Sequence, residues 1–205
     1  MTVDADVALV TLDQAKSWLK ISGSTEDSIL TDLVNRSGAL ANTYTGRHLK
    51  SKEWTEYYDG DGGTVLQLKQ FPVTAITSIN VDPKREWSAD TLVDLTADSL
   101  QNMNAGIVRL WNAGGAFWRG RANVKVVYTA GYKDATDTLV PYDLQEAALL
   151  IIMYSYKRHY QDQRIGLQSE TIGQKTIAFT NESIPKKAQA ILDQYRAIGA
   201  MTNGY

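Results

Sequence analysis

The sequence reads as an α+β protein: a small antiparallel bundle of about four helices with an antiparallel β-sheet insertion between the second and third main helices. Three observations carry this reading. Apolar residues recur at helical spacing through residues 11–46, the period changes to two after His48, and helical spacing returns at 141–159 and after Pro185. The chain divides accordingly into N-terminal helices at 1–50, a β insertion at 51–130, and a long central helix, extended arm and C-terminal helix at 131–205, which complete the bundle.

The elements follow in order. Residues 1–9 form a loose arm. Thr11 with Gln14 makes a capping box for a helix whose stripe is Ala15, Trp18 and Leu19. Ser22-Gly23-Ser24 breaks it, and Ser24 or Thr25 caps a second helix with Glu26 and Asp27 at its positive end. Ile29, Leu33, Leu40 and Tyr44 give that helix its stripe, with Leu30 and Val34 beside them, and Gly46 stops it. Core packing is the plain explanation of both stripes.

Strands are expected at Lys52–Tyr58 and Thr64–Lys69, joined by a hairpin loop at 59–63, DGDGG. Its Asp-Gly-Asp resembles the start of a calcium loop, but Gln70 stands where the closing Glu belongs, so a turn is the better reading. Further strands are expected at Ala75–Val81, Ile107–Trp111 and Asn123–Tyr128, with a turn at Asp82-Pro83-Lys84. Residues 85–105 carry no clear pattern.

Pro141 to His159 is the stretch that organises the rest. Pro141 suits a first helical position, Asp143 and Glu146 the positive end, and Lys157, Arg158 and His159 the negative end. Ala147 to Met153 is apolar on every face, so either its own domain wraps it or a neighbouring subunit covers one side. The run is far below the ~20 residues a bilayer needs. Residues 161–184 are polar, with one alternating patch at Thr171–Phe179, and read as an arm or hairpin. Pro185 opens a last helix with Ala188, Ile191, Leu192 and Tyr195 on one face, and the end of the chain reads as frayed.

Composition narrows the function. A chain of 205 residues is long enough for a substantial core. The net charge of −2 argues against free duplex DNA as the main partner. The absence of cysteine excludes disulfides, thiolate metal sites and a cysteine nucleophile. The acidic N-terminus lacks a signal pattern, which reads as a soluble protein made in a cytoplasm. His48 and His159 stand in no metal-ligand spacing, and no catalytic or phosphate-binding motif is present. Phe117, Trp118, Arg119 and Arg121 could stack on bases and meet phosphate, though an aromatic loop packed on the sheet or a neighbour explains them more simply.

Four stretches together resemble the tailed-phage head–tail connector family, also called adaptor or head-completion proteins. They are VTLDQAKSWLKI (10–21) with EDSILTDLVNRSGALANTYTGRHL (26–49), VVYTAGY (126–132), VPYDLQEAALLIIMYSYKRH (140–159), and SETIGQKTIAF (169–179) with IPKKAQAILDQYR (184–196). Tyr44-Thr45-Gly46-Arg47 matches the usual end of the family's second helix, and the long sheet looks like an enlarged version of the fold.

The resemblance implies a virion structural protein without catalysis, cofactor, metal or membrane. It implies a dodecameric ring beneath the portal protein, with a monomer allowed in isolation. DNA would pass through its channel without sequence-specific binding, and tail-completion or stopper proteins would attach below. Assembly would take place in the host cytoplasm. Subunit or portal contacts then fall to Ile152, Tyr156, Arg164, Ile172, Phe179, Tyr195 and Arg196, and tail or neighbour contacts to Phe117, Trp118, Arg119 and Arg121. Two other classes compete: a non-catalytic module binding glycan or a host-surface protein through Trp and Tyr of the sheet, and an enzyme built around His48 or His159.

Overall fold

A computed structural model describes residues 2–93, 99–110, 115–133, 140–160, 169–172, 175–178 and 184–197. The chain forms two compact units: Met1–Gly46 with Val140–Arg196, and a second built on Arg47–Leu139. The expected fraying of the last residues lies outside the described residues.

The first unit is helical. Helix α1 (Leu12–Leu19) starts on the expected capping box, with Gln14 N donating to Thr11 Oγ1 at 3.2 Å and Thr11 N to Gln14 Oε1 at 2.8 Å. Helix α2 (Asp27–Thr45) is not capped by Ser24 or Thr25; its N-cap is Glu26, which makes no side-chain cap bond. A turn from Asp27 N to Ser24 O replaces that cap, and Lys16 Nζ holds Asp27 at 2.7 Å. Gly46 ends α2 in the left-handed conformation, as expected.

The buried stripe of α2 is Leu30, Val34, Gly38 and Ala41 rather than the expected Ile29, Leu33, Leu40 and Tyr44, which are half-buried. Small residues on that face let the backbone of another segment come close. That segment is the N-terminal arm, which is not loose. Ala8, Leu9 and Val10 are buried, and Asn35 clasps the arm by accepting from Asp4 N and donating to Thr2 O. A Cβ on Gly38 would overlap the carbonyl of Val7. Three consecutive apolar residues are sufficient reason for the arm to dock.

Helix α3 (Tyr142–Tyr160) buries Leu144, Ala147, Ala148, Ile151 and Ile152 and packs on α1, α2 and helix α4 (Lys186–Leu192). Helix α4 buries Ala188 and Leu192 and runs into a short 3-10 turn, Asp193–Tyr195. Polar tips tie the helices together. Tyr156 OH donates to Glu26 at 2.5 Å, Tyr195 OH to Asp143 at 2.6 Å, and Tyr44 OH to Asp193 at 2.9 Å. Strands β7 (Ser169–Ile172) and β8 (Lys175–Ala178), within the polar arm, pair antiparallel.

The second unit holds two three-stranded antiparallel sheets rather than one of five or six strands. The first, ordered β1-β6-β3, contains β1 (Lys52–Gly60), β3 (Val73–Val81) and β6 (Gly120–Ala130). The second, ordered β2-β5-β4, contains β2 (Val65–Gln67), β4 (Ser99–Asn102) and β5 (Ile107–Leu110). The DGDGG loop is therefore not a hairpin: it carries the chain from one sheet to the other. Its backbone bonds go elsewhere, Gly62 N to Phe117 O and Phe117 N to Gly63 O, both at 2.8 Å. Asp61 accepts from Gly63 N at 2.7 Å, so the turn is Asp61-Gly62-Gly63, while Asp59 and Gly60 close β1. Strand β4 lies in the stretch whose sequence carries no pattern.

β6 is the middle strand, and Val124, Val126, Tyr128 and Ala130 line the core from it. The two ends of the unit lie side by side, since Tyr132 N donates to Leu49 O and Ser51 N to Tyr132 O. After β3, Asp82 accepts from the backbone N–H of Lys84, Glu86 and Trp87 at 2.7–2.8 Å. Burial works to raise the Asp82 pKa, but these amides outweigh it and hold the carboxyl below its ordinary range.

Glu56 joins the sheets. Its carboxylate accepts from Tyr58 OH and, at 2.7 Å, from Tyr128 OH. The two hydroxyls in turn accept from Lys69 N at 3.1 Å and Gln70 N at 3.2 Å, in the segment between β2 and β3. Burial, then the bond to Glu56, pushes both phenols above their ordinary pKa. A folded pKa above the unfolded value of about 10 means that the associated stability is complete below that pH and is lost as pH rises beyond it. The double variant Tyr58→Phe/Tyr128→Phe is expected to lose about 1–3 kcal/mol near neutrality and to show a flatter decline above about pH 10 in urea melts. Equal alkaline slopes in the two proteins would contradict the raised pKa of the two phenols.

Candidate assembly interfaces

His48 lies edge-on to Trp54 with ring centroids 5.6 Å apart, and its Nδ1 is 3.0 Å from Lys50 O. His159 is exposed on the last turn of α3. Among the described residues, no group of three or more His, Asp or Glu is placed to hold a metal ion, and no helix is long and apolar enough to cross a membrane.

What the helical unit offers instead is apolar surface. The inner residues of the 147–153 run, Ala147, Ala148, Ile151 and Ile152, are buried, whereas Leu149, Leu150 and Met153 are only half-buried. Trp18 of α1, expected in a core stripe, is 46% exposed because Ala15 alone of that stripe reaches the core. Trp18 and Leu149, with Asp13, Gln14 and Ser17, line an open groove of about 550 Å³. Tyr142, which follows Pro141 at the start of α3, is 84% exposed. Neither aromatic carried a sequence signal of exposure, since spacing alone cannot tell an inward from an outward edge of a stripe.

The expected contact residues differ in exposure. Ile152 is 1% exposed and belongs to the core of its own unit. Tyr156 and Tyr195 are half-buried, with their hydroxyls on Glu26 and Asp143. Arg196 is exposed, 3.7 Å from Asp193 and with its guanidinium 5.6 Å from the centre of the Tyr44 ring. Ile172 is the last residue of β7, in register with Lys175. Arg164 and Phe179 lie outside the described residues.

In the sheet unit the aromatic loop divides in two. Phe117 is a core residue, 1% exposed, while Trp118 is 59% exposed and Arg121 is also at the surface. Arg119 Nε donates to Asp61 O at 3.0 Å. The loop is held from beneath. Asn123 Nδ2 donates to Trp118 O at 2.7 Å, and the bare Cα of Gly60 leaves room for that same carbonyl.

A model of the head completion protein family matches residues 8–198. The chain belongs to the head completion protein family. This head completion protein is a structural head–tail connector, as the four ordered motifs led one to expect. No curated protein matches it. Solved structures share its fold over nearly the whole length. A chain in the neck of an empty gene transfer agent (GTA) particle, computed with C6 symmetry, superposes with a TM-score of 0.61 at 17% identity, covering 99% of this chain and 96% of that one. A chain in the neck of a native GTA particle, computed with C12 symmetry, gives 0.59 at 17% identity with the same coverage. A chain in the virion of a native GTA particle gives 0.59 at 18%, covering 95% and 93%. The likeness takes in the sheet unit as well as the helices.

Burial separates two residues of α3 that the sequence treats alike. Ile152→Asp is expected to destabilise the helical unit by about 3 kcal/mol or more, because the charge has no partner there. Leu149→Asp is expected to cost less than half of that. Thermal melts of the two variants check the ranking, and equal losses would mean that Leu149 is as enclosed as Ile152.

Proposed function

We propose that this head completion protein closes into a ring of twelve copies beneath the portal of a filled head. The ring extends the DNA channel and gives tail-completion or stopper proteins their platform. The observation that carries the reading is the apolar run of α3: Leu149, Leu150 and Met153 are only partly buried, and Leu149 lines an open groove with Trp18. A repeated copy is the economical cover, since head-to-tail contacts close into rings. The C12 symmetry of the neck computed for the native GTA particle supports the copy number.

The portal contact falls to the β7–β8 hairpin, with the C-terminal helix following it. The hairpin is a two-stranded pair, which is marginal alone and gains most from a partner. DNA slides through without sequence readout, because a chain with 21 basic and 23 acidic residues does not concentrate cations enough to hold phosphate. The protein adds to heads in the host cytoplasm and stays in the virion neck. It performs no catalysis.

Negative-stain images of the protein mixed with its portal are expected to show a second ring stacked on the portal, and a portal left bare at saturating protein would refute the proposal. Residues 170–177 can be excised cleanly, since the partners Ser169 and Ala178 lie about 5 Å apart. That deletion is expected to leave thermal melting close to that of the full chain and to lose portal attachment; retained attachment would move the docking surface off the hairpin.

A further inference from the structure

A cyclic ring of more than two copies needs two different, complementary patches on each chain, because one face of a copy meets the opposite face of the next. A recess in the helical unit and an exposed indole in the sheet unit fit that requirement. The recess is the groove of the helical unit, floored by Trp18 and Leu149 and rimmed by exposed Asp13 and Ser17. The projection is Trp118 of the sheet unit, 59% exposed and followed by the exposed cation Arg121.

The Trp118 loop is built to present its indole. Phe117 anchors it in the core, its peptide exchanges bonds with Gly62 and Gly63, and Asn123 holds the Trp118 carbonyl at 2.7 Å. Gly60 lets that carbonyl pack against β1, where a Cβ would overlap it. Little freedom is left to lose on docking, which favours binding by a preformed shape. A large indole on a fixed backbone beside an arginine is also the composition of an interface hot spot.

We propose that Trp118 of one copy inserts into the Trp18–Leu149 groove of the next, with Arg121 meeting Asp13 at the rim. The inference rests on the ring reading and gives it a specific contact. The indole covers the apolar floor, where offset or edge-on packing against Trp18 is available. The rim pair sets orientation and approach more than strength.

The chain contains no cysteine, so any disulfide made in it is a designed one. Particles assembled with the double variant Ser17→Cys/Arg121→Cys are oxidised, run on a non-reducing gel and imaged at the neck. A ladder of covalent multimers, present for the pair and absent for each single variant, supports the contact. A neck that holds the ring but yields no ladder overturns the contact and leaves the ring reading standing. A neck without the ring in particles of the unaltered chain overturns the ring reading, and the contact falls with it. Trp118→Ala supplies the second arm. Its side chain touches solvent rather than the core, so its melting is expected to match the unaltered chain, while ring-bearing particles fall about tenfold or more. An undiminished yield of such particles would overturn the insertion.

Discussion

The structure depends on the burial of one helix face. Leu144, Ala147, Ala148, Ile151 and Ile152 of α3 have little exposed surface, and α2 and α4 supply what covers them. The helical unit can therefore form only when segments from the beginning and the end of the chain meet. Folding of this unit carries the loop-closure cost of everything between Gly46 and Val140. The sheet unit lightens that cost by clamping its own ends, with Leu49, Ser51 and Tyr132 hydrogen-bonded side by side. Polar contacts such as Tyr156 to Glu26 and Tyr195 to Asp143 set helix register, while apolar area supplies the drive.

In the sheet unit the corresponding constraint is the middle position of β6. A strand with neighbours on both edges uses its full ladder and brings four inward side chains to one core. β1 pairs with β6, remote in sequence, rather than with nearby β2. The groups that a hairpin would have used at Gly60–Gly63 are taken up by Phe117 and Asn123. The Glu56 carboxylate then binds a tyrosine from each of the two paired strands, and through them the segment leading out of the second sheet. Local turn chemistry at Asp61 and Asp82 serves this arrangement without dictating it.

Function follows from what the two units leave uncovered. A family whose members complete heads needs surfaces for other chains more than a pocket for a small molecule, and the exposed aromatics Trp18, Trp118 and Tyr142 are of the kind that interfaces favour. The shared fold with chains in GTA necks extends over the sheet unit as well, so that unit is not an ornament peculiar to this chain.

By itself the sequence determined the fold class, the start of α1, the end of α2 and the family. Periodicity, the capping box at Thr11, the stop at Gly46 and the order of four motifs are local properties that neighbouring residues decide among themselves. It also marked the 147–153 run as too apolar for one solvated helix. The tertiary structure alone decided which edge of each stripe faces inward, so that Leu30 and Val34 became core, Ile152 was enclosed and Trp18 left bare. It alone docked the N-terminal arm in the space Gly38 leaves, and chose β6 over β2 as the partner of β1. These outcomes turn on competition between segments far apart in the chain, where small residues permit close approach and every buried backbone group must find a partner. No window of neighbouring residues holds that information.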